Sequence, residues 1–63
     1  MERELQIAVV TMFAEGKNSK EIGESIGKSS RTIEYYVAKM LKWNDCKNIT
    51  QLVAEFIRNK IIE

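Results

Sequence analysis

Histidine and proline are absent from this chain, and it has one cysteine and three glycines. Without histidine, the chain has no Ser–His or Cys–His catalytic pair and lacks the ligands of an ordinary zinc site. A single cysteine excludes an internal disulfide and fits a reducing, cytoplasmic environment. No glycine-rich loop of the kind that cradles phosphate is present. We therefore expect neither enzymatic activity nor a metal or cofactor.

Long hydrophobic runs are also missing. The longest uncharged run, from Leu5 to Ala14, is too short to span a bilayer, and no segment has the pattern of a signal peptide. The chain has 63 residues, of which 44% are hydrophobic and 30% charged. This composition predicts one folded domain over residues 1–63 rather than a disordered tail. Because the uncharged run is so short, we expect no membrane partner. Such a small domain also leaves little room for a pocket, so we expect no small-molecule ligand.

The formal charge of +1 hides an uneven distribution. Residues 1–16 are net acidic, residues 17–47 are net basic, and the charges of residues 48–63 cancel. A mildly basic middle segment is weak support for a polyanionic partner, because scattered lysines commonly serve only to solvate a surface.

Apolar residues recur at three- and four-residue steps in four segments, which predict helices over about residues 2–15, 19–26, 30–42 and 49–61. Residue types that cap helices lie between these segments. Gly16 and Gly27 are expected to end the first two helices, Ser29 or Ser30 to open the third, and the Asn18–Glu21 and Asn48–Gln51 pairs have capping-box spacing. The predicted fold is an all-α four-helix bundle.

The second and third helices have the lengths and the tight glycine turn of a helix-turn-helix. Gly23 lies inside the second helix, where glycine costs about 1 kcal/mol relative to alanine. This cost suggests a close crossing of the two helices at Gly23, with Ile22, Ile26 and Ile33 supplying their apolar contacts. A generic helical bundle with a glycine turn remains the alternative from spacing alone.

Three blocks of sequence resemble the LuxR/GerE (NarL-type) DNA-binding domains. They are Phe13 to Gly23, Ser29 to Val37 and Lys47 to Ala54, and they follow one another in the family's register. The resemblance implies a four-helix fold with a central helix-turn-helix, binding to DNA as a dimer and regulation of bacterial transcription, as in the effector domain of a response regulator. The chain departs from the family pattern at Lys28, where an apolar residue is usual, and at Trp43 to Asp45, which replace lysine, leucine and glycine.

Helical geometry indicates which face of the third helix is free. With Ile33, Val37 and Met40 inward, the outward residues are Arg31, Tyr35, Ala38 and Lys42, with Glu34 and Lys39 on the flanks. The family's base-reading positions correspond to Glu34, Tyr35 and Ala38. The two arguments together predict that the third helix lies in the major groove of double-stranded DNA.

Phosphate contacts require only positive charge, hydroxyl groups and helix N-termini. The candidate residues that supply them are Lys20, Ser29, Ser30, Arg31, Thr32, Lys39, Lys42 and Thr50. Taken singly, each lysine has an equally simple interpretation as an uninvolved surface charge.

The fourth helix carries more apolar residues than one core stripe needs. Beside the inward Ile49, Leu52, Val53 and Phe56, the residues Ala54, Ile57 and Ile61 form an adjoining strip, which the resemblance assigns to a homodimer interface. Such a dimer would recognise a palindromic site. A wide core stripe is the plainer interpretation. The functional alternative is a protein-interaction module that modulates another regulator through the fourth helix.

Cys46 is expected to be a small buried residue, and Trp43 a core or edge aromatic.

Overall fold

The computed structural model of the protein describes residues 1–62 and contains four α-helices. They are α1 (Arg3–Ala14), α2 (Ser19–Ile26), α3 (Ser30–Trp43) and α4 (Ile49–Arg58). The all-α fold class with a central helix-turn-helix is confirmed. Glu63, the last residue of the predicted domain, lies outside the described residues.

The helices are arranged as two packed pairs. α2 packs most extensively on α3, and α1 packs on α4, with smaller contacts between the pairs. Eight buried side chains from all four helices and the C-terminal segment form one core: Val9, Val10, Ile22, Ile33, Met40, Leu52, Phe56 and Ile62. One face of α3 packs in this core, and the opposite face is exposed to solvent.

All four helices end in the same backbone arrangement. In each, the residue after the last turn has a positive φ: 89° at Gly16, 72° at Gly27, 54° at Asp45 and 57° at Lys60. The next amide then donates to a carbonyl five residues earlier, as Lys17 does to Met12 at 3.0 Å and Ile61 does to Phe56 at 2.9 Å. This is the Schellman motif, which satisfies carbonyls that have no partner at a helix end.

The fourth helix is shorter than the sequence predicts. Helix α4 ends at Arg58 rather than about residue 61, because Lys60 adopts the left-handed conformation and turns the chain. The following residues return to the protein, where Ile61 is half-buried against the core and Ile62 is buried. Ile61 and Ile62 are therefore apolar because they pack against the core after a turn. Their spacing in the sequence resembles a continued helix, so the sequence did not predict the turn.

The N-terminal caps agree with the sequence in type, with one difference. Asn18 and Glu21 form a complete capping box at the start of α2. At α4, the Asn48 side chain accepts from the Gln51 amide at 2.8 Å, but the Gln51 side chain accepts from the Lys47 amide rather than from that of Asn48. In both helices, the asparagine side-chain oxygen accepts a hydrogen bond from a first-turn amide that has no carbonyl partner within the helix.

Candidate nucleic-acid interface

The turn between α2 and α3 sets the position of the exposed helix. Gly27 ends α2 in the left-handed conformation, and the Lys28 amide donates to the Gly23 carbonyl at 2.8 Å. A Cβ at Gly23 would collide with the Lys28 carbonyl oxygen and lie 3.2 Å from the Ser29 carbonyl carbon. Gly23 is thus required because the turn folds back over α2. The prediction that Gly23 marks a close crossing of α2 with α3 was therefore wrong in its reason, because the nearest atoms belong to the turn.

Hydroxyl groups open α3. Ser29 is the N-cap, and its side chain accepts from the Thr32 amide at 3.1 Å. The Ser29 and Thr32 hydroxyl oxygens lie 3.0 Å apart and share a hydrogen bond. Ser29 and Ser30 are exposed, whereas Thr32 is half-buried. Two of the hydroxyls predicted to contact phosphate therefore already organise the first turn of α3.

The two faces of α3 are clearly divided. Ile33 and Met40 are fully buried. The exposed residues between Arg31 and Lys42 are Arg31, Glu34, Tyr35, Ala38, Lys39 and Lys42. These include all three residues predicted to read bases and three of those predicted to contact phosphate. Their joint exposure on one helix supports the predicted surface.

The basic side chains of this face have no acidic partner among residues 1–62. The two ion pairs of the described chain join Lys17 to Glu15 and Arg58 to Glu55, each at 3.0 Å. Neither involves Lys20, nor a basic residue of α3. The positive charges of α3 therefore face solvent, except for the aromatic contacts described next.

Lys39 lies against two aromatic rings on α3. Its Nζ is 5.1 Å from the centroid of the Tyr35 ring and 5.8 Å from that of Trp43. The Tyr35 and Trp43 side chains are 57% and 53% exposed. Trp43 is thus a surface residue, and the expectation of a core or edge aromatic understated its exposure. The spacing of Tyr35, Lys39 and Trp43 at four-residue steps was the signal for this contact, and sequence reasoning missed it.

A shallow groove of about 310 Å³ adjoins these rings. The N-terminal Met1 and Leu5 of α1 form one side, and α3 forms the other side with Tyr35, Tyr36, Lys39 and Trp43. The Tyr35 and Tyr36 rings are 6.5 Å apart and inclined at 50°. The exposed aromatic side chains of α3 therefore border the groove beside the start of α1.

Lys20 and Thr50 lie on other helices. Lys20 is exposed in the first turn of α2, and Thr50 is exposed in the first turn of α4. Thr50 also lines a second groove of about 210 Å³ between the end of α1 and the start of α4. The eight predicted phosphate contacts thus come from three helices, with six of them between Ser29 and Lys42.

The predicted dimer strip is only partly formed. Ala54 and Ile57 are exposed on α4, and Ile57 is 47% exposed. Their three-residue spacing places them on neighbouring positions of one helix face. Ile61 lies beyond the helix end and is packed against the core. It therefore does not extend the strip along α4 as a helix to residue 61 would require.

Cys46 is half-buried and lies after the end of α3. Its thiol donates a weak hydrogen bond to the Asn44 carbonyl at 3.5 Å. Partial burial raises the pKa of the thiol, and the carboxylates of Glu55 and Asp45 raise it further. The thiol therefore stays protonated at neutral pH and is a poor nucleophile.

Residues 1–62 contain no helix with the length and apolar character needed to cross a membrane. They also contain no cluster of side chains suited to hold a metal ion.

Comparison with known proteins places this arrangement in a family. Searches of curated proteins and of solved structures returned no match. The family described as "Bacterial regulatory proteins, luxR family" (GerE) matches residues 2–56, which include all of α1 to α3 and most of α4. The chain therefore belongs to the luxR family of bacterial regulatory proteins and is a helix-turn-helix DNA-binding domain of that family.

Proposed function

We propose that the chain binds double-stranded DNA sequence-specifically by placing α3 in the major groove, and thereby regulates transcription. The observation that carries the proposal is the division of α3 into a buried apolar face and a solvent-exposed face that holds Arg31, Lys39 and Lys42. A helix of this diameter fits the major groove, where base pairs present distinct hydrogen-bonding patterns. The luxR family match supports DNA binding by the domain.

Three exposed residues are proposed to read bases. The Glu34 carboxylate can accept a hydrogen bond from a cytosine amino group. Tyr35 and Ala38 can contact the methyl group of thymine. All three lie on the exposed face of α3, so none has to leave the core to reach DNA.

The remaining candidates are proposed to contact phosphates, which fix the register of the protein on DNA. They are Lys20, Ser29, Ser30, Arg31, Thr32, Lys39, Lys42 and Thr50. If about five positive charges contact phosphate, log affinity falls with log salt at a slope of roughly −4 to −5.

Fluorescence anisotropy tests this proposal, using duplexes selected from a random pool and titrated at several salt concentrations. Lys42→Ala should weaken binding to every duplex and reduce the salt slope by about 1, because one phosphate contact is lost. Arg58→Ala is the matched control, since it removes an exposed positive charge from α4. A slope near zero for the wild-type protein, or equal effects of the two variants, would contradict the proposal.

We further propose that two copies associate through Ala54 and Ile57 on α4 and bind a palindromic site. The exposed Ile57 side chain supports a surface of this kind, and a two-fold dimer places its recognition helices about 34–36 Å apart. Ile57→Lys should lower the mass measured by sedimentation at high protein concentration, because a charge cannot be desolvated there without a partner. Asn59→Lys adds the same charge at the end of α4 and should leave association unchanged. The same concentration-independent mass for the wild-type protein and Ile57→Lys would exclude this surface.

A protein-interaction module that acts through α4 is the alternative outcome of these tests. The exposed Ile57 would then contact another regulator rather than a second copy. Absence of DNA binding even at low salt would favour this function over the first.

A further inference from the structure

Lys39 occupies an unusual position for a surface lysine. Its ammonium lies over two ring faces of the same helix, 5.1 Å from the Tyr35 centroid and 5.8 Å from the Trp43 centroid. Tyr35 lies one turn before Lys39 and Trp43 one turn after it, so all three share one strip of α3. Both cation–π contacts found within residues 1–62 belong to this lysine.

The rings restrict where the ammonium can go. An aromatic face carries negative electrostatic potential and attracts a cation within about 6 Å of its centroid. A free lysine side chain samples many rotamers, and a ligand that fixes it must offset the lost entropy. Two rings on either side of one ammonium remove part of this freedom before any ligand binds.

The two rings border a groove next to the start of α1. The N-terminal Met1 and Leu5 of α1 line the same groove as Tyr35, Tyr36 and Trp43. Leu5 and Tyr36 are half-buried and pack against the core. The Tyr35 and Trp43 rings and the Lys39 side chain therefore border the groove beside α1 while remaining exposed.

We propose that Tyr35 and Trp43 hold the Lys39 ammonium in the position from which it contacts a DNA phosphate, which makes Trp43 a positioning residue for that contact. This inference rests on the proposed function, because it requires α3 to lie on DNA. An ammonium group has three donors, so one that lies over rings still has N–H groups to offer to a phosphate on its exposed side. No side-chain carboxylate among residues 1–62 forms an ion pair with Lys39 and competes for these donors.

A double-mutant cycle of DNA affinity tests the coupling. Lys39→Gln should weaken binding and reduce the salt slope by about 1, as expected for a lost phosphate contact. Trp43→Leu should weaken binding about two- to fivefold without changing the slope, because the charge remains but is less restrained. Trp43→Phe should restore most of the affinity, since it keeps an aromatic face. In the Lys39→Gln background, Trp43→Leu should have no further effect.

Three results would overturn the proposal. Trp43→Leu would act through some other contact if it cost the same affinity in both backgrounds. Tighter DNA binding by Trp43→Leu would mean that the rings hold the ammonium away from phosphate. Trp43→Leu could also reduce the affinity equally in the Lys42→Gln and Lys39→Gln backgrounds. That result would show that Trp43 has no specific relation to Lys39. Trp43 is exposed, so circular dichroism should show unchanged folding in each variant.

A second measurement separates this inference from the proposed function. In the free protein, the Lys39 side-chain methylene protons nearest the ammonium should be shifted upfield in NMR spectra by the ring currents. Trp43→Leu should reduce that shift, whereas the corresponding Lys42 protons should be unaffected. An unshifted Lys39 overturns the positioning even if DNA binding is intact. A shifted Lys39 in a protein that binds no duplex supports the positioning and overturns the DNA function.

Discussion

The turn between α2 and α3 and the end of α4 use the same backbone arrangement with different residues. Gly27 takes the left-handed position in the first, and Lys60, with φ of 57°, takes it in the second. Glycine adopts this conformation freely, whereas a residue with a Cβ pays a steric cost. At α4, the burial of Ile62 and the half-burial of Ile61 hold the strained turn in place. The comparison shows that the sequence predicts a turn where the residue itself favours the left-handed conformation, as Gly27 does. It does not predict a turn that depends on burial of the residues after it, as at Lys60.

The two regions also differ in what holds them to the rest of the protein. The α2–α3 unit depends on a close backbone approach, since any Cβ at Gly23 collides with Lys28. Helix α4 depends on side-chain burial, with Leu52 fully buried and Phe56 nearly so. One region is therefore sensitive to added volume and the other to lost volume.

The largest effect is expected for Leu52→Ala. Removing this buried side chain should lower the free energy of unfolding by about 2–5 kcal/mol, because burial is lost and a cavity remains. Denaturant titration followed by circular dichroism measures the change. Ile57→Ala, at an exposed position of the same helix, should change stability by less than about 0.5 kcal/mol. Similar losses in the two variants would contradict the assignment of Leu52 to the core.

A smaller loss is expected for Gly23→Ala. Alanine would favour helix by about 1 kcal/mol, but the collision with the Lys28 carbonyl should produce a net loss of about 1–3 kcal/mol. In a domain of this size each kcal/mol lowers the melting temperature by roughly 4–8 °C. Glu24→Ala is the control, since Glu24 is exposed on the same helix. An unchanged or raised melting temperature for Gly23→Ala would show that the turn does not require the missing side chain.

The smallest effect, and the one of opposite sign, is expected for Lys60→Gly. Relief of the positive φ should raise the free energy of unfolding by up to about 1 kcal/mol, partly offset by the greater freedom of glycine in the unfolded chain. Asn59→Gly is the control, because Asn59 has φ of −86° and gains no relief. Thermal unfolding measures the stability of both variants. An equal change in melting temperature would show that Lys60 is not strained, and the turns at Gly27 and Lys60 would then not differ in steric cost.

Much of the fold could be predicted because its signals are local. Helix α2 begins at Asn18 with the expected capping box, and Gly16 and Gly27 take the expected left-handed positions. The periodic apolar residues of α3 also separated its buried face from the face that carries Tyr35 and Lys42. The DNA contacts and the dimer strip remain predictions, since the contacts of the isolated chain do not include those partners.

The sequence by itself determined that four helices form, where α1 and α2 end at Gly16 and Gly27, that asparagine caps α2 and α4, and which face of α3 is free. These depend on hydrogen bonds and apolar spacing within a few residues, which any stretch of chain carries with it. Only the tertiary structure decided that α4 ends at Arg58, that Gly23 faces the turn and that Trp43 lies exposed beside Lys39. Each of these depends on contacts between residues that are distant in the sequence or lie on different elements. Ile62 packs in the core, and the turn occupies the space next to Gly23. The Trp43 ring borders a groove beside α1 and stays on the surface.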